Sequence, residues 1–322
     1  MTVSTVRLAN LNTYKLRLAD RGTAAWRARV QTVREIAPDV LALQEIVVDE
    51  ARTGKDRWEE VAARTVRAFA ADCQLTAEVE ETAGYLDGIA MASNSHRPWF
   101  TALVWNPATV TYVPESYRPY GAPDFWHGVT TASFSLGTGD PLTVISYHGD
   151  PFRPDFRANE ALRLKGICRT VGGVKKSVVL GDFNALSAAV LSDQSGQERY
   201  YDPECYRDQD HDDLEYQVIP ETIGGEQLAD RRQTRALLRG GFMVDAAAHL
   251  GAPWEATVGH WENGKGDPDP WGERRIDLVL ASRPVAPALV SYQTHRSVAA
   301  RAASDHLPIS VGISTEMLTE EV

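Results

Sequence analysis

The chain has 322 residues, 43% hydrophobic and 24% charged, with a formal net charge of −11. The length suits one large domain or two, the composition is that of an ordinary globular protein, and no stretch reaches the roughly 18 apolar residues that a membrane helix needs. The acidic balance weighs against a dedicated nucleic-acid binder, which carries a basic face to neutralise phosphates.

Residues 3–10 are rich in β-branched and apolar side chains and read as a strand. Residues 26–37 have helical spacing, and Pro38 ends them. Residues 40–44 form a short buried strand that meets Glu45. Residues 58–73 are helical, with Val61, Ala62, Thr65 and Phe69 recurring on one side. Residues 102–105 and 143–147 are strands, the second running into His148. A helix follows over 157–171, with Ala161, Leu164, Cys168 and Val171 on one face. Residues 177–180 form a strand leading into Gly181, 234–239 a short helix ended by Gly240-Gly241, and 276–281 and 309–313 two late strands.

Two regions break the alternation: a Gly/Pro/aromatic loop at 121–127 and a long, acidic, Tyr-rich segment at 192–230. Loops of that length inside a compact domain are functional lids or disordered inserts. With no repeat and no low-complexity linker, the reading is one catalytic domain over 1–322 carrying an acidic insert. Cys73, Cys168 and Cys205 are too widely spaced for a disulfide framework or a thiolate zinc site, and the first two are expected as buried thiols on helices. The start of the sequence has no basic segment followed by an apolar run, so the expected compartment is cytoplasmic.

Polar residues gather where the predicted strands end. Asn10 and Asn12 follow the first strand, Glu45 the second, His148 the fourth, and Asp182 and Asn184 the fifth. Asp277 lies early in the 276–281 strand, and Asp305-His306 precedes the last. Taken singly, Asn10 also suits a turn cap, and Asp277 beside Arg275 a structural ion pair. Together, an Asp/Glu/Asn/His cluster at strand ends suits a hard, oxygen-ligated cation.

The ordered motifs Asn-Leu-Asn (10–12), Leu-Gln-Glu (43–45), Tyr-His-Gly-Asp (147–150), Gly-Asp-Phe-Asn-Ala (181–185), Arg-Ile-Asp-Leu-Val-Leu-Ala-Ser (275–282) and Ser-Asp-His-Leu-Pro-Ile (304–309) resemble those of the endonuclease/exonuclease/phosphatase superfamily. The resemblance implies an α/β (α+β) fold, a four-layer sandwich of two mostly antiparallel sheets flanked by helices. It implies a divalent-metal-dependent phosphoester hydrolase, a phosphodiesterase, phosphatase or nuclease. Asn10, Glu45 and Asp305 would hold Mg²⁺ or Mn²⁺. Asp182 would orient or deprotonate the attacking water, and Asn184 and His148 would donate to the phosphorus centre. His306, oriented by Asp277, would act on the phosphate or the water, so either Asp182 or His306 serves as the base.

Substrate choice rests outside these motifs. Gly149 stands where many relatives have leucine, and no counterpart is evident to the glutamate that partners this histidine in pancreatic-type deoxyribonucleases. Arg97 and Trp126, with Asn12, are candidate substrate contacts; a turn with core tryptophans is the plainer reading of 93–100 and 125–127. A small phosphoester and a nucleic acid both remain open as substrates, and no obligatory protein partner is evident. A non-catalytic binding descendant is disfavoured by the intact motifs; redirection of the same site to specialised-metabolite chemistry stays compatible with them.

Overall fold

The computed structural model describes residues 5–80, 88–137, 139–192, 195–210, 212–219, 226–261, 269 and 271–319. The strands in chain order are β1 (Thr5–Leu16), β2 (Val40–Val47), β3 (Met91–Ala92), β4 (Trp99–Trp105), β5 (Thr111–Tyr112), β6 (Arg118–Tyr120), β7 (Val129–Ser135), β8 (Leu142–His148), β9 (Arg169–Thr170), β10 (Gly173–Val174), β11 (Ser177–Asp182), β12 (Val190–Ser192), β13 (Glu198–Tyr200), β14 (Met243–Asp245), β15 (Asp277–Ser282), β16 (Leu289–Thr294) and β17 (Ile309–Ser314). The helices are α1 (Ala24–Ile36), α2 (Trp58–Asp72), α3 (Pro154–Ile167), α4 (Arg232–Leu238), α5 (Ala246–His249), α6 (Val298–Ala303) and α7 (Thr315–Thr319).

One large sheet has the order β16-β17-β1-β2-β4-β3 and the other β14-β15-β11-β8-β7-β5, with β6 also on β7. Each contains one parallel pair at its centre, β1–β2 and β8–β11, among antiparallel neighbours. The period-two alternation of strand side chains explains the stacking. Leu8, Val40, Ala42 and Leu103 of the first sheet face Val144, Val178, Leu180 and Val279 of the second across a shared core. Their sequence neighbours Ala9, Leu11, Leu41 and Leu43 point outward, under Val30 and Val33 of α1 and Val66 and Phe69 of α2. On the far side Ile145, Val179, Leu278 and Leu280 meet Ala161 and Leu164 of α3 and Leu237 of α4. The result is the four-layer α/β sandwich.

Several expectations are revised. The helix predicted over 157–171 starts at Pro154 and stops at Ile167; the next residues form the β9–β10 hairpin, where Gly172 takes a φ of +80°. Val171, expected on the buried helical face, stands at the hairpin tip, fully exposed. Cys73 and Cys168 are buried free thiols, but each lies just past its helix rather than on it. Residues 3 and 4 of the first predicted strand lie outside the described residues.

The acidic segment is rooted in the structure. Its Tyr206, Leu214 and Ala229 pack with Leu186, Val258 and Ile276. Its Asp202 accepts a hydrogen bond from Arg275 Nε at 2.7 Å, and Arg275 Nη2 donates to Asp245 at 2.6 Å, all three residues being buried. Arg275 is therefore in a structural ion pair, but with Asp202 and Asp245 rather than with Asp277. No helix among the described residues is long and apolar enough to cross a membrane.

Candidate active site

At one end of the sandwich, the inward positions of the central strands change from apolar to polar. On β1, Leu8 is followed by Asn10 and Asn12; on β2, Ala42 by Gln44; on β8, Val144 by Ser146 and His148; on β11, Leu180 by Asp182. The antiparallel β15 starts at this end, so its first inward residue is Asp277. Register places Asp182 beside His148 on one side and Asp277 on the other. Asp182 Oδ2 accepts from Asn12 Nδ2 at 3.1 Å and lies 3.5 Å from His148 Nε2 and 3.8 Å from His306 Nε2. Its Oδ1 accepts from the Asn184 backbone N–H at 2.8 Å.

His306 Nδ1 is 2.8 Å from Asp277 Oδ2. Asp277 Oδ1 accepts from Asn10 Nδ2 at 3.2 Å, and Asn10 Oδ1 accepts from Gln44 Nε2 at 2.9 Å. Gln44 Nε2 also donates to Ser146 Oγ at 3.0 Å, which ties the two sheets together. Asn10 is thus wholly buried, with both amide atoms engaged by protein. Asn12 is equally buried: its Nδ2 donates to Glu45 Oε1 at 3.4 Å as well as to Asp182, and its Oδ1 accepts from Tyr14 N at 3.1 Å.

Glu45 is aimed into this end by a bulge. The β1–β2 and β2–β4 registers both shift beside it, and its φ is +59°. Bulges re-aim a side chain, and left-handed backbone on a non-glycine residue concentrates at functional sites. Gly181 and Gly149 are required by close approach: a Cβ on Gly181 would lie 1.9 Å from Tyr147 O, and one on Gly149 2.5 Å from Phe183 O. The second contact explains glycine at position 149.

Charge and burial oppose one another here. Burial, reinforced by Asp305 and Asp182 against an opposing His306, raises the Glu45 carboxyl to about 7. Burial also raises Asp182, against the pull of His306 and His148. Burial lowers His148 to about 4, so its ring is neutral near pH 7. Burial would lower His306 too, but Asp277 and Asp182 outweigh it and hold the ring well above its ordinary value. His148 lies flat against His127, with centroids 3.9 Å apart and planes within 10°. His127 is buried and also held below its ordinary pKa, burial being the main cause.

A cleft of about 360 Å³ opens beside Asn184, Asp305 and His306. Phe152 and Trp271 line it, and the acidic insert contributes Asp213, Tyr216 and Gln217 to its wall. Arg97 and Trp126 lie instead in a neighbouring hollow of about 450 Å³ that also contains Arg153. Sequence reasoning did not single out Gln44, Ser146 or the buried Glu160, whose carboxylate accepts from Trp126 N at 2.7 Å beside this hollow. The first sits inside the Leu-Gln-Glu motif, whereas nothing local marks the other two. Among the described residues, no three His, Cys, Asp or Glu side chains are grouped as a metal cage.

The model of the endonuclease/exonuclease/phosphatase family matches residues 9–306. The chain belongs to this family. Members of the endonuclease/exonuclease/phosphatase family are in general phosphoester hydrolases, nucleases and phosphatases among them, and generally depend on a divalent metal. Solved structures agree in fold. An endonuclease/exonuclease/phosphatase family protein from Bacteroides thetaiotaomicron is 15% identical, with a TM-score of 0.56 over 97% of this chain and 98% of that one. The mannosyl-6-phosphatase of the same species is 15% identical, with a TM-score of 0.53 over 95% and 98%. An AP endonuclease from Archaeoglobus fulgidus is 14% identical, with a TM-score of 0.55 over 95% and 98%. No individually curated protein matches the chain.

Proposed function

We propose that the chain hydrolyses a compact phosphoester with the help of Mg²⁺ or Mn²⁺. The observation that carries this reading is the convergence of Asn12, His148 and His306 on one buried carboxylate oxygen of Asp182.

The residues present fit a hard cation. Glu45 and Asp305 offer only oxygen donors, and Glu45, pushed to about 7 by burial and like charge, is stabilised by a cation. A cage of three carboxylates is not needed, because Mg²⁺ keeps several waters and uses one or two carboxylates. Asn10 and Asn12 both have their amide oxygens taken up by protein donors and present Nδ2 to carboxylates, so in this reading they orient the acidic groups, Asn10 on Asp277 and Asn12 on Glu45 and Asp182. Bound there, the metal supplies a Lewis acid that neutralises phosphoryl charge.

Asp182 is the base in this reading. His306, held protonated by Asp277, has no free lone pair to accept a proton, whereas a carboxylate raised by burial is a stronger base than a solvated one. The His306 imidazolium, the neutral His148 ring and the Asn184 amide donate to the phosphoryl oxygens as charge builds. The insert residues Asp213, Tyr216 and Gln217 close the cleft and add negative charge, which favours a small phosphoester over a duplex.

The test is a panel with Mg²⁺ or Mn²⁺ covering p-nitrophenyl phosphates, sugar and inositol phosphates, nucleotides, lipid-type diesters, RNA, and plain and abasic DNA, with Asp182→Asn alongside. Metal-dependent turnover of a small phosphoester, lost in Asp182→Asn, is expected. Full activity in Asp182→Asn overturns the mechanism, and a strong preference for duplex DNA overturns the substrate class.

A further inference from the structure

We infer that Arg97, Trp126 and Arg153 form a second phosphate subsite, so that the substrate carries one phosphate besides the one hydrolysed. This rests on the hydrolase reading for its meaning but not for its test.

The Arg97 guanidinium carbon lies 3.9 Å and that of Arg153 4.2 Å from the Trp126 ring centroid. Arg153 is also 4.2 Å from the Phe156 centroid, which clamps its guanidinium between two rings. Guanidinium stacking on aromatic faces leaves the N–H edges free to donate. Arg153 uses Nε on Asp150 Oδ2 at 2.6 Å, and its two terminal amino groups remain available. Arg97 has no ion pair among the described residues, in a chain of net charge −11.

The arrangement is built rather than incidental. The buried Glu160 accepts from Trp126 N at 2.7 Å through one oxygen and from Asp150 N at 3.1 Å through the other. One carboxylate thereby fixes both Trp126 and the partner of Arg153. On the other side, Asn94 Oδ1 accepts from the Arg97 N–H at 3.0 Å while Asn94 Nδ2 donates to Trp126 O. The two arginines, 56 positions apart, are each tied through a buried polar side chain to the same tryptophan.

The subsite adjoins the candidate active site. Pro151 and Phe152 line the catalytic cleft, and the next residue, Arg153, lines the hollow. His127, which follows Trp126, stacks on His148. Asp150 offsets the charge of Arg153 and Glu50 borders the hollow, so directed donors matter more than net charge. Two guanidiniums suit a phosphate, which has more acceptor oxygens than the planar carboxylate that one fork satisfies.

Two measurements decide the matter. Inorganic phosphate is titrated calorimetrically into the full chain in EDTA, where the catalytic carboxylates repel it. Saturable binding is expected, weakened at least about tenfold in Arg97→Gln, an exposed position whose change leaves the fold intact, and in Arg153→Gln. With Mg²⁺, thymidine 5′-(p-nitrophenyl phosphate) is compared with its 3′-phosphorylated form. The 3′-phosphate is expected to lower KM, and the KM ratio to fall toward one in both variants. Absence of saturable phosphate binding, equal binding by Arg97→Gln, or a ratio of one in the wild type overturns the subsite. If neither compound is hydrolysed, the hydrolase reading is what fails for these compounds, and the calorimetry still decides the subsite.

Discussion

Replacing Asp277 by asparagine keeps its shape and removes its charge. The new amide faces two donors: the His306 Nδ1 position at 2.8 Å and Asn10 Nδ2 at 3.2 Å. If its oxygen turns to His306, its NH₂ opposes the Asn10 NH₂; if its NH₂ turns to His306, the ring must accept at Nδ1 and carry its proton on Nε2. Asn10 does not flip to relieve this, because its oxygen already receives Gln44 Nε2 at 2.9 Å. An imidazolium and a carboxylate with charge centres about 4 Å apart attract by about 4 kcal/mol at an effective dielectric of about 20. Losing that attraction removes the largest influence raising His306, so its pKa should fall and kcat should drop by about 10²–10³. The measurements are kcat against pH and the NMR titration of the His306 ring. The raised folded pKa also makes a stability contribution that is fully present below about pH 6.5 and lost as pH rises through the folded value, and it should disappear in Asp277→Asn. Turnover within threefold of wild type, with the His306 titration unmoved, would refute the reasoning.

Three other outcomes follow from the same geometry. In EDTA, the Glu45 carboxyl near 7 instead of 4.5 should make stability fall as pH rises from about 4.5 to 7, by at most about 3 kcal/mol; denaturant titrations of Glu45→Gln should lack that fall and show a smaller gain on adding MgCl₂, and parallel behaviour of the two proteins contradicts this. Arg275→Met strands Asp202 and Asp245 in the interior and should cost about 3–5 kcal/mol by urea unfolding, a loss under 1 kcal/mol being incompatible with the pairing described. His127→Ala removes the flat surface under His148 and should lower kcat by about tenfold, while His127→Phe keeps a ring there and should lose less; equal activity of His127→Ala and wild type would leave His127 without a positioning role.

The central strands were legible because both their faces are buried, which leaves continuous apolar runs ending abruptly in Asn12, Glu45, His148 and Asp182. Strand direction was not, since a run such as Ser-Val-Val-Leu before Gly181 looks the same in either sheet type. β7 escaped because hydroxyls on both its faces break the apolar signal: Thr130 meets Thr101 of the other sheet at 2.9 Å, while Thr131 donates to Arg118 O and Ser133 bonds Thr143 within their own sheet. The distinction between Asn10 and Asn12 also lay beyond the sequence. Both project to the same face and both are buried, and only the partners that the fold supplies, Gln44 and Asp277 for Asn10 and Tyr14, Glu45 and Asp182 for Asn12, separate them. The partners of Arg275 were hidden for a similar reason: Asp202 lies 73 positions away and Asp245 30.

The seam between the two sheets runs through the candidate site itself. Asn12 and Glu45 ride on one sheet, His148, Asp182 and Asp277 on the other, and Gln44–Ser146 is a bolt across the joint. A slip of one sheet over the other would draw Glu45, and Asp305 and His306 just before β17, away from His148, Asp182 and Asp277 on the second sheet, and so break the His306–Asp277 pair as well as the alignment of the two halves. The apolar filling between the sheets, Leu8 against Val178 and Leu180, then acts as a spacer that sets catalytic alignment from a distance. Exchanging such a residue for one of different volume would be felt as mistuned chemistry before it was felt as lost fold.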